Sequence, residues 1–488
     1  MSGFRRLSIG LVTLVTSLGA GVSAALASLC PAELAARLDA ELTKTPLERS
    51  YVGMVLQTQG ATEGARQTLY ARHGNHFFIP ASGAKLLTTA AALHHLGSNY
   101  RIPTSVYGSP GPGGSYNLTV VGRGDPTLTA VHLETLAAQL AQNGVTRVNQ
   151  LVLQDAYFPQ FATNPTWEWG DAQWYYAPPV NSLILNGNAL TVQISPTQVG
   201  NPLSIIWPED AQGKALPIEN ATVTVAAAEN ASSLSLWRTG AGNQIRVSGQ
   251  LPQTASPVSY YVAVLDPAQN FADALVQALG EQGISVAQTA VTERAVPNLG
   301  AELATIESAT LGELLKPTNQ NSNNLYAEVL LKTLGVTQAK APISDASIAG
   351  GEAIAAALAE LGVDPATVRL ADGSGLSRHN LVTPSALVNT LQAMAVHPES
   401  DIFLNSLAVA GVSGTLGNRL SNTVLQGRVQ GKSGALTGNV SLSGYLQPPD
   451  YEPLVFSILI NHSDRHARVL RDLIDEILLL IAQLSDDC

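Results

Sequence analysis

The chain has 488 residues, more than one hydrophobic core usually holds, so two or three domains are expected. Apolar residues make up 45% and charged residues only 13%, which excludes a long disordered or low-complexity chain. The net charge is −11 and no basic cluster follows the first few residues, so nucleic-acid binding has nothing to rest on.

The first segment reads as a secretory signal over residues 1–27. Arg5 and Arg6 precede the apolar run "LSIGLVTLVTSLGAGVSAALA", and Ala25-Leu26-Ala27 fits the small-residue cleavage pattern. Cleavage predicts an exported protein, periplasmic or wall-associated. No later run is long and apolar enough to predict a membrane span. The only two cysteines are Cys30, just past the cleavage site, and Cys488, the last residue. Export permits a disulfide between them, which requires the first and last helices to be adjacent and antiparallel with Cα atoms within about 7 Å. The other reading is two unrelated thiols.

Next come a short helix at "PAELAARLDAELTK", a strand at "YVGMVLQTQ", and an apolar helix headed by Ser82 and Lys85. From about Ile102 Gly, Pro, Thr and Val become frequent. Strand and helix signals then alternate, with "AVHLETLAAQLAQNG" a helix and "VNQLVLQDAYF" a strand. From about Leu190 to Tyr260 short alternating segments such as "ALTVQISP" and "NQIRVSGQL" predict a small β-subdomain. Helices dominate after about Thr305. Two strand-like stretches, "GRVQGKSGALTGNVSLSGYLQ" and "LVFSILINH", precede the final helix. This pattern predicts one α/β domain split in sequence by a β-rich insertion.

Three short segments carry chemistry. Ser82-Gly83-Ala84-Lys85 places a hydroxyl and an ammonium three residues apart, on one helix face. A buried lysine whose pKa falls toward neutrality can take a serine's proton and turn it into a nucleophile. Ser322-Asn323-Asn324 offers a hydroxyl to relay a proton and an amide to orient a lysine; by itself the segment equally suits a helix N-cap. Lys432-Ser433-Gly434, in a strand context, can hold a carboxylate, and its glycine allows close backbone approach; alone it also suits an edge-strand lysine. Together they read S-x-x-K, S-x-N and K-[ST]-G in that order, the set found in penicillin-binding proteins and serine β-lactamases.

With these motifs and the stretches "VVGRGDPTLT", "WYYAPPVNSLILNGN", "LADGSGLSRHNLVTP" and "VAGVSGTL", the chain resembles the low-molecular-mass class C penicillin-binding proteins, the D-alanyl-D-alanine carboxypeptidase/endopeptidase family, from about residue 30 to 488. It departs in reading K-S-G where the family usually has K-T-G. The resemblance implies a transpeptidase-like α/β domain, a five-stranded antiparallel sheet between helices, over 28–101 and 304–488. An inserted domain would occupy 102–188 and 262–303, with a small β domain at 189–261 nested inside it. Packing of the family's first and last helices supports a Cys30–Cys488 bond.

By the same resemblance, Ser82 attacks the penultimate D-alanine of a peptidoglycan stem peptide and Lys85 is its general base. Ser322 relays a proton, Asn324 positions Lys85 and substrate, Lys432 and Ser433 hold the terminal carboxylate, and Gly434 lets the backbone come close to the substrate. Ala435 and Ser82 supply the oxyanion-hole N–H groups. Arg378 and Asp155 are implied to meet the charged groups of a stem-peptide side chain. β-Lactams are implied inhibitors.

Gly124-Asp125-Pro126 reads as a structural turn. His73, His76, His94 and His95 have no third ligand at a zinc spacing and read as packing or surface residues. No cofactor is implied, since no nucleotide-binding glycine motif follows a strand. Two rival functions share the motifs: a serine β-lactamase, against which the long insertion and the missing class A glutamate segment count, and a non-catalytic penicillin- or wall-binding protein, against which the intact motifs count.

Overall fold

The computed structural model describes residues 28–44, 47–208, 216–226, 233–239 and 244–487. The expected signal segment, residues 1–27, and Cys488 lie outside them. The central feature is a six-stranded antiparallel sheet. Its order is Ala408–Val409, Val429–Leu436, Asn439–Leu446, Leu454–Asn461, Tyr51–Thr58 and Thr68–Arg72. The two-residue strand Ala408–Val409 is one more than the five expected. The stretch "GRVQGKSGALTGNVSLSGYLQ" is a hairpin of two strands. Its turn is Thr437-Gly438, where Gly438 has φ +76° and suits the left-handed conformation of a tight hairpin.

Asn439–Leu446 and Leu454–Asn461 are buried at every position, because helices cover both faces of the sheet. On one face lie the helices Pro31–Leu42 and Ala467–Ile481. The second presents Leu470, Ile474, Ile477, Leu478 and Ile481 as one apolar stripe. Leu29 bridges Leu484, and the Leu29 N–H donates to the Gln483 carbonyl at 2.7 Å, so the two ends of the described chain run side by side. The other face packs against the helices Lys85–Leu96 and Pro384–Ala395.

The helix Lys85–Leu96 is buried all round from Lys85 to Leu93. Around it stand the helices Leu311–Asn319, Asn324–Gln338 and Ala346–Glu360. The last two cross closely at two glycines. A Cβ on Gly335 would lie 2.2 Å from the Ala346 carbonyl oxygen, and one on Gly350 2.1 Å from that of Leu331.

Between Lys85 and Ser322 the chain builds two further sheet systems. A five-stranded mixed sheet runs in the order Ser285–Thr292, Arg147–Gln154, Tyr116–Val121, Pro103–Pro110, Ala301–Glu307, packed on the helices Ala130–Gln142 and Pro267–Glu281. Two three-stranded sheets follow, one of Ile218–Val225, Gln244–Pro252 and Ser233–Thr239, the other of Val258–Ala263, Ala189–Ser195 and Ser204–Ile206. They share a separate core that includes Leu190, Val192, Leu236, Val247 and Val262. Among the described residues no helix is long and apolar enough to cross a membrane.

Candidate active site

Ser82 lies not in the α-helix but in the 3₁₀ turn Ala81–Ala84 that leads into it, after Ala81 at φ +48°. The tighter turn still brings hydroxyl and ammonium together: Lys85 Nζ is 3.1 Å from Ser82 Oγ. Lys85 is fully buried. Its other two contacts are shorter, 2.7 Å to Asn324 Oδ1 and 2.6 Å to the Ser374 carbonyl. Burial lowers the Lys85 pKa to about 7, against the opposing pull of Asp372 and Glu328. As a neutral amine, Lys85 keeps two N–H donors. Asn324 and Ser374 hold both, which leaves the lone pair aimed at Ser82.

The second motif sits where the helix Leu311–Asn319 gives way to Asn324–Gln338. Asn323 is the N-cap, its side chain accepting from the Tyr326 N–H at 3.2 Å. The capping role therefore falls on the middle residue and releases its two neighbours. Ser322, at φ +59°, turns its hydroxyl to Lys432 Nζ at 3.0 Å. Asn324 accepts from Lys85 and donates through Nδ2 to the Tyr176 carbonyl at 2.7 Å.

Lys432 is also fully buried and donates to the Ser433 carbonyl at 2.6 Å. Desolvation, then repulsion from Lys85, holds its pKa well below the usual value. Ser433 Oγ bonds Thr415 Oγ1 at 2.7 Å. A Cβ on Gly434 would stand 2.7 Å from the Pro80 carbonyl oxygen and 2.8 Å from the Ser82 nitrogen, so the strand runs directly against the nucleophile. Among the described residues its outer edge is paired only from Val429 to Gly431. From Lys432 through Ala435 that edge carries no neighbouring strand.

The loop "ADGSGL" closes the site from the other side. Asp372, fully buried, accepts from Trp167 Nε1, Ser374 Oγ, Asn380 Nδ2 and the N–H groups of Gly375 and Ser377. Glu328 accepts from the N–H groups of Gly373 and Ser374 at 2.9 and 2.8 Å, and burial, reinforced by Asp372, raises its pKa to about 8. Gly375 has φ +82°, and a Cβ there would lie 1.8 Å from the Ala81 carbonyl oxygen. The loop thus presents the Ser374 carbonyl to Lys85 and packs directly behind Ser82.

The two rim residues fare differently. Arg378 bonds Glu168 and donates to the Thr437 carbonyl at 3.1 Å, just past the third motif. Asp155 has another occupation. Its two oxygens accept from Asn181 Nδ2 at 3.0 Å and from the Ser182 N–H at 2.7 Å, fastening a loop of the inserted region. The acid paired with Arg378 is Glu168; nearby Asp171 has its pKa raised by burial and accepts from the Tyr176 hydroxyl at 3.0 Å. Asp125 caps its own turn, accepting from the Thr127 N–H and hydroxyl. Sequence reasoning missed Asp372, Glu328, Thr415 and Asp171. Only the polar, glycine-rich "DGSG" carried a local signal for the first.

Residues 34–481 match the D-Ala-D-Ala carboxypeptidase 3 (S13) family. The chain is 36% identical over 476 residues to a D-alanyl-D-alanine carboxypeptidase of Actinomadura sp. (strain R39), covering 93% of this chain and 86% of that protein. It is 27% identical to D-alanyl-D-alanine carboxypeptidase DacB of Haemophilus influenzae, covering 86% and 87% of the two. The crystal structure of penicillin binding protein 4 (dacB) from Haemophilus influenzae superposes with a TM-score of 0.80 at 25% identity, over 92% of this chain and 99% of that one. With Ser82 set against buried Lys85, the open strand edge beside them and this breadth of match, the chain belongs to the D-Ala-D-Ala carboxypeptidase 3 (S13) family.

Proposed function

We propose that this enzyme is a serine D-Ala-D-Ala carboxypeptidase of peptidoglycan stem peptides, working through an acyl-enzyme on Ser82. The carrying observation is Lys85, buried, with two N–H groups held by Asn324 and Ser374 and its third position turned to Ser82. The substrate's terminal backbone lies along the unpaired edge from Lys432 to Ala435, as an added strand. Its carboxylate meets the Ser433 hydroxyl and the N–H groups of Lys432 Nζ, whose ammonium form the bound carboxylate favours.

Ser82 Oγ attacks the penultimate carbonyl carbon while its proton passes to Lys85 Nζ. The developing oxyanion is held by the N–H groups of Ser82 and Ala435. Ser322, bonded to Lys432, delivers its hydroxyl proton to the departing D-alanine amine as the C–N bond breaks and takes up the one Lys85 accepted, so that Lys85 is again the neutral amine. Water then attacks the ester, gives up a proton and restores the Ser82 hydroxyl.

Arg378, Glu168 and Asp171 gather charges of both signs at the rim, which suits a stem-peptide side chain bearing both an amine and a carboxylate. Cutting cross-links between stem peptides uses the same acylation and needs only a longer leaving group. We place the mature protein outside the cytoplasmic membrane, with residues 1–27 removed and Cys30 bonded to Cys488. The alignment of Leu29 with Leu484 supports that bond.

The test is intact mass after mixing with benzylpenicillin, alongside release of D-alanine from a stem pentapeptide. Wild type gains one lasting penicilloyl adduct and releases D-alanine; Ser82→Ala does neither. Drug consumed without a lasting adduct indicates a β-lactamase and overturns the proposal. No adduct and no release indicates a binding protein.

A further inference from the structure

Fourteen or so ångströms along the helix that starts at Lys85, at about 1.5 Å per residue, a second group of side chains meets that plays no part in acylation. His94 and His95 occupy the last turn of Lys85–Leu96. Glu360 is the last residue of Ala346–Glu360. His397 follows just after Pro384–Ala395. One ligand atom from each of His94, His95 and Glu360 lies within 4.8 Å of the others. The third ligand that the sequence lacked near His94 and His95 thus arrives from a distant helix.

We propose that His94, His95 and Glu360 bind a divalent transition-metal ion of the zinc type. His94 Nε2 and Glu360 Oε2 are 3.0 Å apart. Two ligands on one tetrahedral zinc, with bonds of about 2.0–2.1 Å, stand roughly 3.3 Å apart, so little movement is needed. Adjacent residues on a helix usually diverge, but here the rings of His94 and His95 have centroids only 5.4 Å apart.

Three helix C-termini converge on this point, and each brings the negative end of its dipole. Apart from the two histidines no last turn carries a basic residue, and among the described residues no lysine or arginine pairs with Glu360. The field therefore favours a cation. A surface cleft whose charged lining is Asp345, Glu352 and Glu360 against the single cation Lys340, with His95 beside them, opens next to the group and gives an ion a route in.

The ring nitrogen of His94 away from the ion also has a partner, since Nδ1 lies 3.4 Å from His397 Nε2. With the ion on Nε2, His94 carries its proton on Nδ1 and His397 accepts it. His397 then holds its own proton on Nδ1 and gives up the 3.2 Å contact from the Glu399 N–H. The proton now shared between His94 and Glu360 leaves to solvent, His397 hands its Nε2 proton to His94 Nδ1, and solvent supplies the new proton on His397 Nδ1, so none is released on balance. The ion would pin the helix bearing Lys85 to Ala346–Glu360, with His397 behind His94 as the link to the end of Pro384–Ala395.

The experiment uses the tag-free mature chain, stripped with chelator and titrated with Zn2+ by calorimetry and with Co2+ by visible absorption. Wild type is expected to bind one saturable equivalent and to melt at a higher temperature with Zn2+. His95→Ala and Glu360→Gln should each weaken binding at least tenfold and abolish the Zn2+-dependent rise. His95→Ala without metal should still be acylated by penicillin, which separates loss of a ligand from loss of the fold. Absence of saturable binding overturns the proposal. So does binding that survives both substitutions and disappears in His73→Ala/His76→Ala, which would put the ion at the other histidine pair.

Discussion

Lys85 is the residue in which burial and function are hardest to separate. Water exclusion pulls its pKa down to about 7, while Asp372 and Glu328 oppose that pull. The acylating form is the neutral amine. Below about pH 7 the rate constant for acylation by penicillin should therefore fall by about tenfold per pH unit, and above it level off. Glu328, with its pKa raised to about 8, is mostly a neutral acid at that pH, so Glu328→Gln keeps both its charge state and an oxygen for the Gly373 and Ser374 N–H groups. The break in the profile should then stay in place, read by stopped-flow acylation from pH 5 to 9; a break moved to lower pH would show that Glu328 stands ionised beside Lys85. Ser433 makes a separate prediction. Its hydroxyl is fixed by Thr415 and, in the proposed complex, donates to a carboxylate. Losing a hydrogen bond to a charged group costs about 1.5–3 kcal/mol, so Ser433→Ala should raise KM for a D-Ala-D-Ala peptide by about tenfold or more. The penicilloyl adduct should still form, since Ser82 and Lys85 are untouched.

At the scale of elements, the site depends on two backbone contacts that leave no room for a side chain. Gly434→Ala pushes a methyl against the Pro80 carbonyl and the Ser82 nitrogen. Displacing a nucleophile by about 1 Å commonly costs about a hundredfold, so acylation should drop by that order while the melting temperature changes little. Gly375→Ala combines a left-handed conformation with a Cβ 1.8 Å from the Ala81 carbonyl oxygen, and should lower both melting temperature and acylation. Equal acylation in both variants would contradict the close fit of strand and loop around Ser82. These elements also mark what the sequence can disclose. The three motifs were legible because each places two chemical groups a few residues apart, and the alternating segments announced the sheets. The support around them was not. Asp372 and Trp167 meet across the insertion, Glu328 reaches the loop from another helix, and Tyr176 contributes only a backbone carbonyl, which any residue has. Asp155 shows the converse: an acid beside a strand looks equally ready for a ligand or for a neighbouring N–H, and only the packed chain assigns it to Ser182.

For the whole molecule, the question is how the small β region influences a site in another core. The answer lies in four consecutive residues, Gln173 to Tyr176. The Gln173 carbonyl accepts from the Ala263 N–H, and its side chain accepts from the Arg238 N–H. Trp174 packs against the small region's core and bridges Val262. Two residues on, the Tyr176 carbonyl accepts from Asn324, which in turn holds Lys85. A second anchor, buried Lys332, ties this segment to the helix Asn324–Gln338 through the Phe161 and Val180 carbonyls at 2.8 Å each. Because Ala189 and Ala263 are paired neighbours, a short linker can replace the chain between them. We propose that boundary as the natural cut. The remaining protein keeps its sheet, its helices and the Lys332 anchor, so it should fold and still form the penicilloyl adduct. Residues 173–176, however, lose the partners that fix their path, and the hydrogen bond to Asn324 loosens. One such bond contributes about 1 kcal/mol, so acylation should slow by roughly five- to tenfold. Lys332→Met in the shortened chain removes the second anchor and should slow it further, by more than the two changes predict when added. Acylation kinetics of the four proteins decide the matter: additive effects would mean that the small region and Lys332 reach the site by separate routes, and an unchanged rate in the shortened chain would mean that Tyr176 needs no support from the small region at all.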